Sequence, residues 1–304
     1  MRRAAEVWGF IADRLAAGEQ VMLLTVVAAS HGSPGKTGFA AAVAADGAVV
    51  GTIGGGPMEQ RLVRQCVASL REGEQLPPLR TMRHTAEPGP PGEASGLVCG
   101  GWQEVATHRL TTSELPLARQ VRLAVAQRRT MTLQLSPGRI AIAEAGPGIR
   151  IAPDPLALVV GGGQVGHAVA AVLGTLDLSV VLADPQPQSG AAGYRTVSLP
   201  MTDVAGLIGD PAATYVVVVS PTVEQDAQAL AVLLPLRPRY LGLLGTARKR
   251  RQIEAMLPAA AREALREQHL YSPVGLPIGS HTPEEIAVSI AAEIIATRHT
   301  TCNT

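Results

Sequence analysis

LALVVGGGQVGHAVAAVLGTLDLSVVLAD, residues Leu156 to Asp184, is the stretch on which the fold turns. It opens with a short apolar run stopped by glycine, the pattern of a strand buried on both faces of a parallel sheet. G-x-G-x-x-G follows at Gly161, Gly163 and Gly166, then a helical pattern, a second apolar run and Asp184. In such a turn the first glycine permits the tight bend and the second lets a pyrophosphate approach the backbone. The third lets helix and strand pack closely. The start of the helix directs unsatisfied N–H groups and the positive end of its dipole at whatever anion sits there. Asp184, 18 residues past Gly166, is placed to bond a ribose hydroxyl. A glycine fingerprint alone is a weak signal; strand, helix, second strand and acid together predict a Rossmann-like domain. The competing reading keeps the turn for packing in a domain that holds no nucleotide, and the fold by itself would not name a function.

Beyond Asp184 the alternation continues, with strands expected near 194–199, 215–219 and 240–244 and a helix over 223–234. Strands alternating with helices imply a parallel sheet with right-handed crossovers. Thr282, Pro283 and Glu285 supply N-cap, first-turn proline and capping-box acid for a last helix whose apolar run is Ile286 to Ile295. The loop SPVGLPIGSH before it, Ser272 to His281, is either a pocket wall, with Gly279, Ser280 and His281 at the helix start, or a tight connection shaped by glycine and proline. Arg248-Lys249-Arg250-Arg251 is read as a phosphate contact or, more simply, as a solvated helix face.

On the N-terminal side the chain predicts an amphipathic helix over 3–17, a β run over 21–30 and a hairpin about Asp46-Gly47. A helix from Met58 to Glu72 follows Gly54-Gly55-Gly56-Pro57. Proline suits the first turn of that helix, and Gly54, Gly55, Gly56 and Glu59 set bare backbone beside one acid, open to a flat or anionic ligand. Residues 85–95 read as a loop able to act as a lid. A strand over 96–110 is interrupted at Cys99-Gly100-Gly101, a helix is expected over 113–128, and two or three short strands over 131–151. The fold expected is therefore α/β: a C-terminal Rossmann-like parallel-sheet domain over 153–304, preceded by a smaller mixed α+β domain over 1–152.

Composition limits the function. Among 304 residues, hydrophobics make up 46% and charged residues 17%, with a net charge of +1, which argues against nucleic acid or a membrane surface as partner. Glu6 and Asp13 inside the first apolar pattern speak for a helix and against a signal peptide, so a cytoplasmic protein is expected. Cys66, Cys99 and Cys302 are too few and scattered for a disulfide framework, and no CxxC or HExxH spacing offers a metal site. An isolated cysteine such as Cys99 is commonly a small buried hydrophobe, although its neighbouring glycines leave room for a soft-ligand role. His31 and His281 lie in glycine or serine loops, where a structural hydrogen bond competes with any polar function. Absence of a G-x-S-x-G elbow and of a Walker A sequence removes support for hydrolases and kinases.

Several separated motifs then carry a resemblance: GTIGGGPMEQRL at Gly51 to Leu62, VCGG at Val98 to Gly101, LVVGGGQVGHAVA ending in Asp184-Pro185, SPTVEQDAQAL at Ser220 to Leu230, YLGLLGTARKR at Tyr240 to Arg250, and GLPIGSHTPEEIAVSIAAEIIA at Gly275 to Ala296. Over nearly its whole length the chain resembles the XdhC/CoxI family of xanthine dehydrogenase accessory proteins. The resemblance implies a non-catalytic carrier that binds the molybdenum cofactor in its molybdopterin form, holds it while a cysteine desulfurase adds the sulfido ligand, and passes it to a xanthine dehydrogenase-type apoenzyme. It also implies a homodimer. Many relatives have a cysteine where this chain has Pro57, so thiolate ligation from that position is excluded and Cys99 becomes the thiol available to molybdenum. Relatives often carry histidine in the segment that here reads Val223-Glu224, which puts a proton-transfer role there in doubt. An alternative from another class is an NAD-dependent oxidoreductase, with Asp184 favouring NAD over NADP.

Overall fold

In the computed structural model the chain divides into two compact units of nearly equal length, Met1–Pro153 and Asp154–Thr304. The structure describes residues 4–84, 100–136, 138–143, 148–187 and 193–300. Cys99, Cys302 and the expected lid over 85–95 lie outside the described residues.

The first unit runs α1 (Ala4–Ala16), β1 (Val21–Ala29), β2 (Ala40–Ala44), β3 (Val49–Gly51), α2 (Gly56–Glu72), β4 (Leu79–Arg83), β5 (Trp102–Leu110), α3 (Leu115–Ala126), β6 (Met131–Ser136), β7 (Arg139–Ala143) and β8 (Ile149–Ile151). Its main sheet is antiparallel in the order β3-β2-β1-β5-β4, and a three-stranded antiparallel sheet has the order β7-β6-β8. Strand β1 sits centrally and buries both faces. Because side chains alternate along a strand, Met22, Leu24 and Val26 meet Met58, Leu62 and Cys66 of α2. Val21 and Leu23 face the other way, toward Trp8, Ile11 and Leu15 of α1 and Val121 of α3. Each such fully buried aliphatic side chain contributes about 1.5–3 kcal/mol of transfer free energy. Trp8 is buried at 2% exposure, whereas Trp102, at the start of β5, keeps 39%. Strand β5 begins only there, because Gly100 and Gly101 have φ of 77° and 78°, outside the extended region.

The second unit runs β9 (Leu156–Val160), α4 (Gln164–Gly174), β10 (Ser179–Asp184), β11 (Arg195–Ser198), β12 (Thr214–Val218), α5 (Val223–Leu233), β13 (Tyr240–Leu243), α6 (Ala247–Met256), α7 (Ala259–Glu267) and α8 (Pro283–Thr300). All its strand pairs are parallel, in the order β11-β10-β9-β12-β13. Counted within the unit this is 3-2-1-4-5, the Rossmann order, whose direction of winding reverses between the first and fourth strands. The five apolar residues of β9 serve two cores. Leu156, Leu158 and Val160 pack with α5, α6 and α7, while Ala157 and Val159 pack with α4 and α8. That double burial is why the run has no polar member.

Two elements carry no clear sequence signal. Strand β4 is a five-residue edge strand, LRTMR, in which only Met82 is buried, and α7 buries only Ala261 and Ala264, side chains too small to mark an apolar stripe.

Candidate functional site

In an open parallel sheet the ligand crevice lies beyond the carboxyl ends of the strands at the point of reversal, here between β9 and β12. The three glycines that follow β9 do different work there. Gly161, at φ 120°, would bring a Cβ within 2.7 Å of the Ser220 nitrogen, just past β12. A Cβ on Gly166 would stand 1.9 Å from the Gly161 carbonyl oxygen, so α4 can approach β9 only because that residue is glycine. Both are demanded by packing. Gly163 is not: it has an ordinary φ of −75°, and a Cβ there would meet nothing within 4 Å. It caps α4 without any side-chain hydrogen bond, so no side chain takes up the amides of the first turn. This is the geometry in which an oxyanion is held by backbone donors and the helix dipole.

Asp184, at the end of β10, closes one side. Its Oδ2 accepts the Gly162 amide at 2.7 Å and its Oδ1 accepts the Gln186 amide at 2.8 Å. These bonds fix the carboxylate beside the turn and still leave lone pairs, since an ionised carboxylate has about four. On the other side, the loop after β12 is tied down by Asp226, which is fully buried and pairs with Lys249. The Arg248–Arg251 segment is thus neither a uniformly solvated face nor a row of free cations: Lys249 turns inward, and Arg250 pairs with Glu254 at 2.7 Å.

Gly279, Ser280 and His281 lead into α8. Tyr271 bridges Gly242 in the parallel sense, so the chain leaves toward the carboxyl ends of the strands before α8 turns back along α4. The loop is anchored by Glu293, whose Oε2 accepts the Gly275 amide at 3.0 Å and the Tyr240 hydroxyl, and Tyr240 stacks on Tyr271 at 4.5 Å. The capping box forms as expected: Glu285 Oε2 accepts the amides of His281 at 2.7 Å and Thr282 at 3.0 Å, while Thr282 Oγ1 accepts the Glu285 amide at 3.3 Å. Those two amides hold the Glu285 carboxyl below the usual carboxylate range. The backbone donors at this helix start are therefore taken by the protein itself, in contrast to α4.

In the first unit, Gly54, Gly55 and Gly56 have consecutive positive φ of 127°, 74° and 71°. Glu59, one turn into α2, reaches back to this loop, and its Oε2 accepts Thr52 Oγ1 at 2.6 Å and the amides of Ile53 at 2.7 Å and Gly55 at 3.0 Å. Glu59 thus holds the loop's shape. Gly54 lies against the 30–36 loop, where its Cβ would meet the Gly35 nitrogen at 2.7 Å, and Gly101 lies against the same loop, 2.3 Å from Ser30 Oγ by the same measure. So the GTIGGG segment and the last glycine of VCGG converge; Cys99 itself is outside the described residues.

The organiser of this convergence is Gln103, which the motifs do not mark. Its Oε1 accepts Ser33 Oγ at 2.9 Å and the Gly35 amide at 3.1 Å, and its Nε2 donates to the Ile53 carbonyl at 2.8 Å. His84, fully buried, places Nε2 3.3 Å from Ser33 Oγ, and burial lowers its pKa. The available signal was a glutamine at an inward position of β5, where Val105 next along that face is apolar. Cys66 faces the core under α2, where burial pushes its thiol up to about 12 and keeps it protonated. Among the described residues no group of three or more His, Cys, Asp or Glu side chains is placed to hold a metal ion, and no helix is long and apolar enough to cross a membrane.

The second unit is thus a Rossmann-type domain with an open glycine turn at its switch point. Comparison with known proteins gives the family. The profile of the XdhC Rossmann domain matches residues 157–294 and that of the XdhC and CoxI family matches residues 14–82, together about two thirds of the chain, which belongs to this family. The chain is 27% identical over 281 residues to Uncharacterized protein YqeB of Escherichia coli (strain K12), covering 89% of this chain and 42% of that protein. It is 32% identical over 160 residues to a probable xanthine dehydrogenase subunit of Bacillus subtilis (strain 168), covering 49% of this chain and 44% of that protein. The matches span less than half the length of either relative. A crystal structure described as a xanthine dehydrogenase from Bacillus halodurans superposes with a TM-score of 0.75 at 20% identity, over 97% of this chain and 96% of that one, and so shares the fold.

Proposed function

We propose that this protein is a carrier of the molybdenum cofactor that serves the maturation of a xanthine dehydrogenase-type enzyme. The observation that carries the proposal is the open, uncapped helix start at Gly163, which suits the phosphate tail of a pterin cofactor and binds it through backbone alone. Family membership and the name of the Bacillus subtilis relative point to the recipient. In this reading a cysteine desulfurase supplies the sulfido group while the cofactor is held, the apoenzyme then takes it, and the carrier works as a homodimer. The glycine loops organised by Gln103 are a separate bare surface of the first unit, and Cys99, near them in sequence, is the candidate soft contact to molybdenum. The test is to purify the protein from cells that make the cofactor and to measure molybdenum by mass spectrometry and pterin by fluorescence. Transfer to apo xanthine dehydrogenase completes it. Co-elution of both with transfer is expected; absence of molybdenum, pterin and transfer overturns the proposal.

One observation favours a second reading, an oxidoreductase using NAD. Asp184 stands at the end of β10 beside the glycine turn, where a dinucleotide's ribose diol would meet it. Titration with NADH decides this: no fluorescence change at millimolar concentration removes it.

A further inference from the structure

The wall of the crevice opposite Asp184 contains a buried charge that phosphate binding leaves without a task. Asp226, in the first turn of α5, has no exposure. Its Oδ1 accepts the Ser220 amide at 3.2 Å and the Ser220 hydroxyl, and its Oδ2 lies 2.5 Å from Lys249 Nζ. The ammonium also donates to the carbonyl oxygens of Leu244 at 3.2 Å and Ser220 at 3.4 Å. An ammonium carries three protons, and three protein oxygens already surround this one. Lys249 is accordingly no free cation for a ligand.

What it does instead is join the ends of two strands to a helix. Leu244 follows β13, Ser220 follows β12, and Asp226 belongs to α5. Gly245 makes the inward path possible, for at φ 147° a Cβ there would stand 2.6 Å from Lys249 Cδ. Ser220 in turn is the residue against which Gly161 rests, its nitrogen 2.7 Å from where a Gly161 Cβ would lie. Contact therefore runs from Lys249 through Asp226 and Ser220 to the first glycine of the turn. An ion pair with one partner fully buried is a poor stabiliser compared with apolar residues of the same size, so stability alone is a weak reason for a charged pair here.

We propose that Lys249 is a positioning residue: through Asp226 and Ser220 it fixes the turn Gly161–Gly163 in the shape that accepts a phosphorylated ligand. The ligand side of this inference rests on the carrier reading; the geometric side does not. Lys249→Met alone leaves Asp226 buried and unpaired and is expected to unfold the unit. The informative variant is Asp226→Asn with Lys249→Met, which removes both charges and is expected to restore the melting temperature. In that variant, amide exchange across 161–166 should speed by roughly tenfold, as for a locally opened segment in an otherwise stable fold. Pterin retained per protein chain after purification from cofactor-producing cells should fall by roughly tenfold or more, the scale found when groups that orient a binding site are removed. Should the double variant fail to fold, Ser220→Ala removes the side-chain half of the link, the hydroxyl bond to Asp226, and a smaller change in the same direction is expected. Faster exchange with no pterin on the unaltered protein sinks the carrier reading and leaves Lys249's role standing. A stable variant with unaltered exchange and unaltered pterin overturns the inference.

Discussion

Single residues at the glycine turn separate packing from binding. A side chain at Gly163 meets no protein atom within 4 Å, so Gly163→Val should melt with the unaltered protein, and under the proposed carrier function it should retain less pterin, because the new methyls fill the open space at the helix start. Gly166→Ala is the converse, since its Cβ is forced to 1.9 Å from the Gly161 oxygen, and a loss of at least about 1–3 kcal/mol is expected from overpacking, read by urea unfolding. Two histidines set the response to acid. His84 and His108 are buried, and desolvation lowers both pKa values from 6.5. His108 bonds the Ser136 carbonyl through Nε2 at 2.9 Å, while its buried Nδ1 has no partner to receive a second proton. For groups with depressed folded values the unfolded chain binds more protons, so their contribution is complete above about pH 6.5 and is lost as pH falls below it toward the folded pKa. The urea midpoint should therefore drop as pH falls below about 6.5, and His108→Gln should flatten that drop. Neither histidine stands in a sequence motif; only the strand pairing shows that they point inward.

At the scale of elements, signals confined to one segment were legible and signals shared between segments were not. The strand, glycine turn, helix, strand and strand-end acid of 156–184 form as expected because each follows from local chemistry: an apolar run, a positive φ at Gly161, a helix start and a second apolar run. The capping box of α8 is similar, and Thr282→Ala should cost about 1 kcal/mol in a thermal melt. Lys249 shows the opposite case. Within RKRR it reads as one more surface cation, and its inward turn depends on an acid 23 positions earlier and on a glycine four positions earlier. Gln103 likewise joins Ser33, Gly35 and Ile53, residues spread over the chain, so its importance exists only once β5 has paired with β1. Gly54–Gly56 and Glu59 were legible as a cluster, but the acid's engagement with its own loop depends on how that loop folds back on the first turn of α2.

For the whole molecule, each unit closes its own cores. The first layers α1 and α3 on one face of its main sheet and α2 on the other, and the second layers helices on both faces of its parallel sheet. Leu158→Ala in the second unit and Ile11→Ala in the first, both at 0% exposure, should each cost about 2–5 kcal/mol by denaturant titration, transfer and cavity terms together. The aromatic residues are partitioned to match. Trp8 and Trp102, the two tryptophans of the chain, both belong to Met1–Pro153, whereas all four tyrosines, Tyr194, Tyr215, Tyr240 and Tyr271, belong to Asp154–Thr304. Indole emission excited at the red edge of its band is thus a built-in optical reporter for one half, and phenol dichroism for the other. The two substitutions can thus be followed separately, half by half, in the intact chain without attaching a dye.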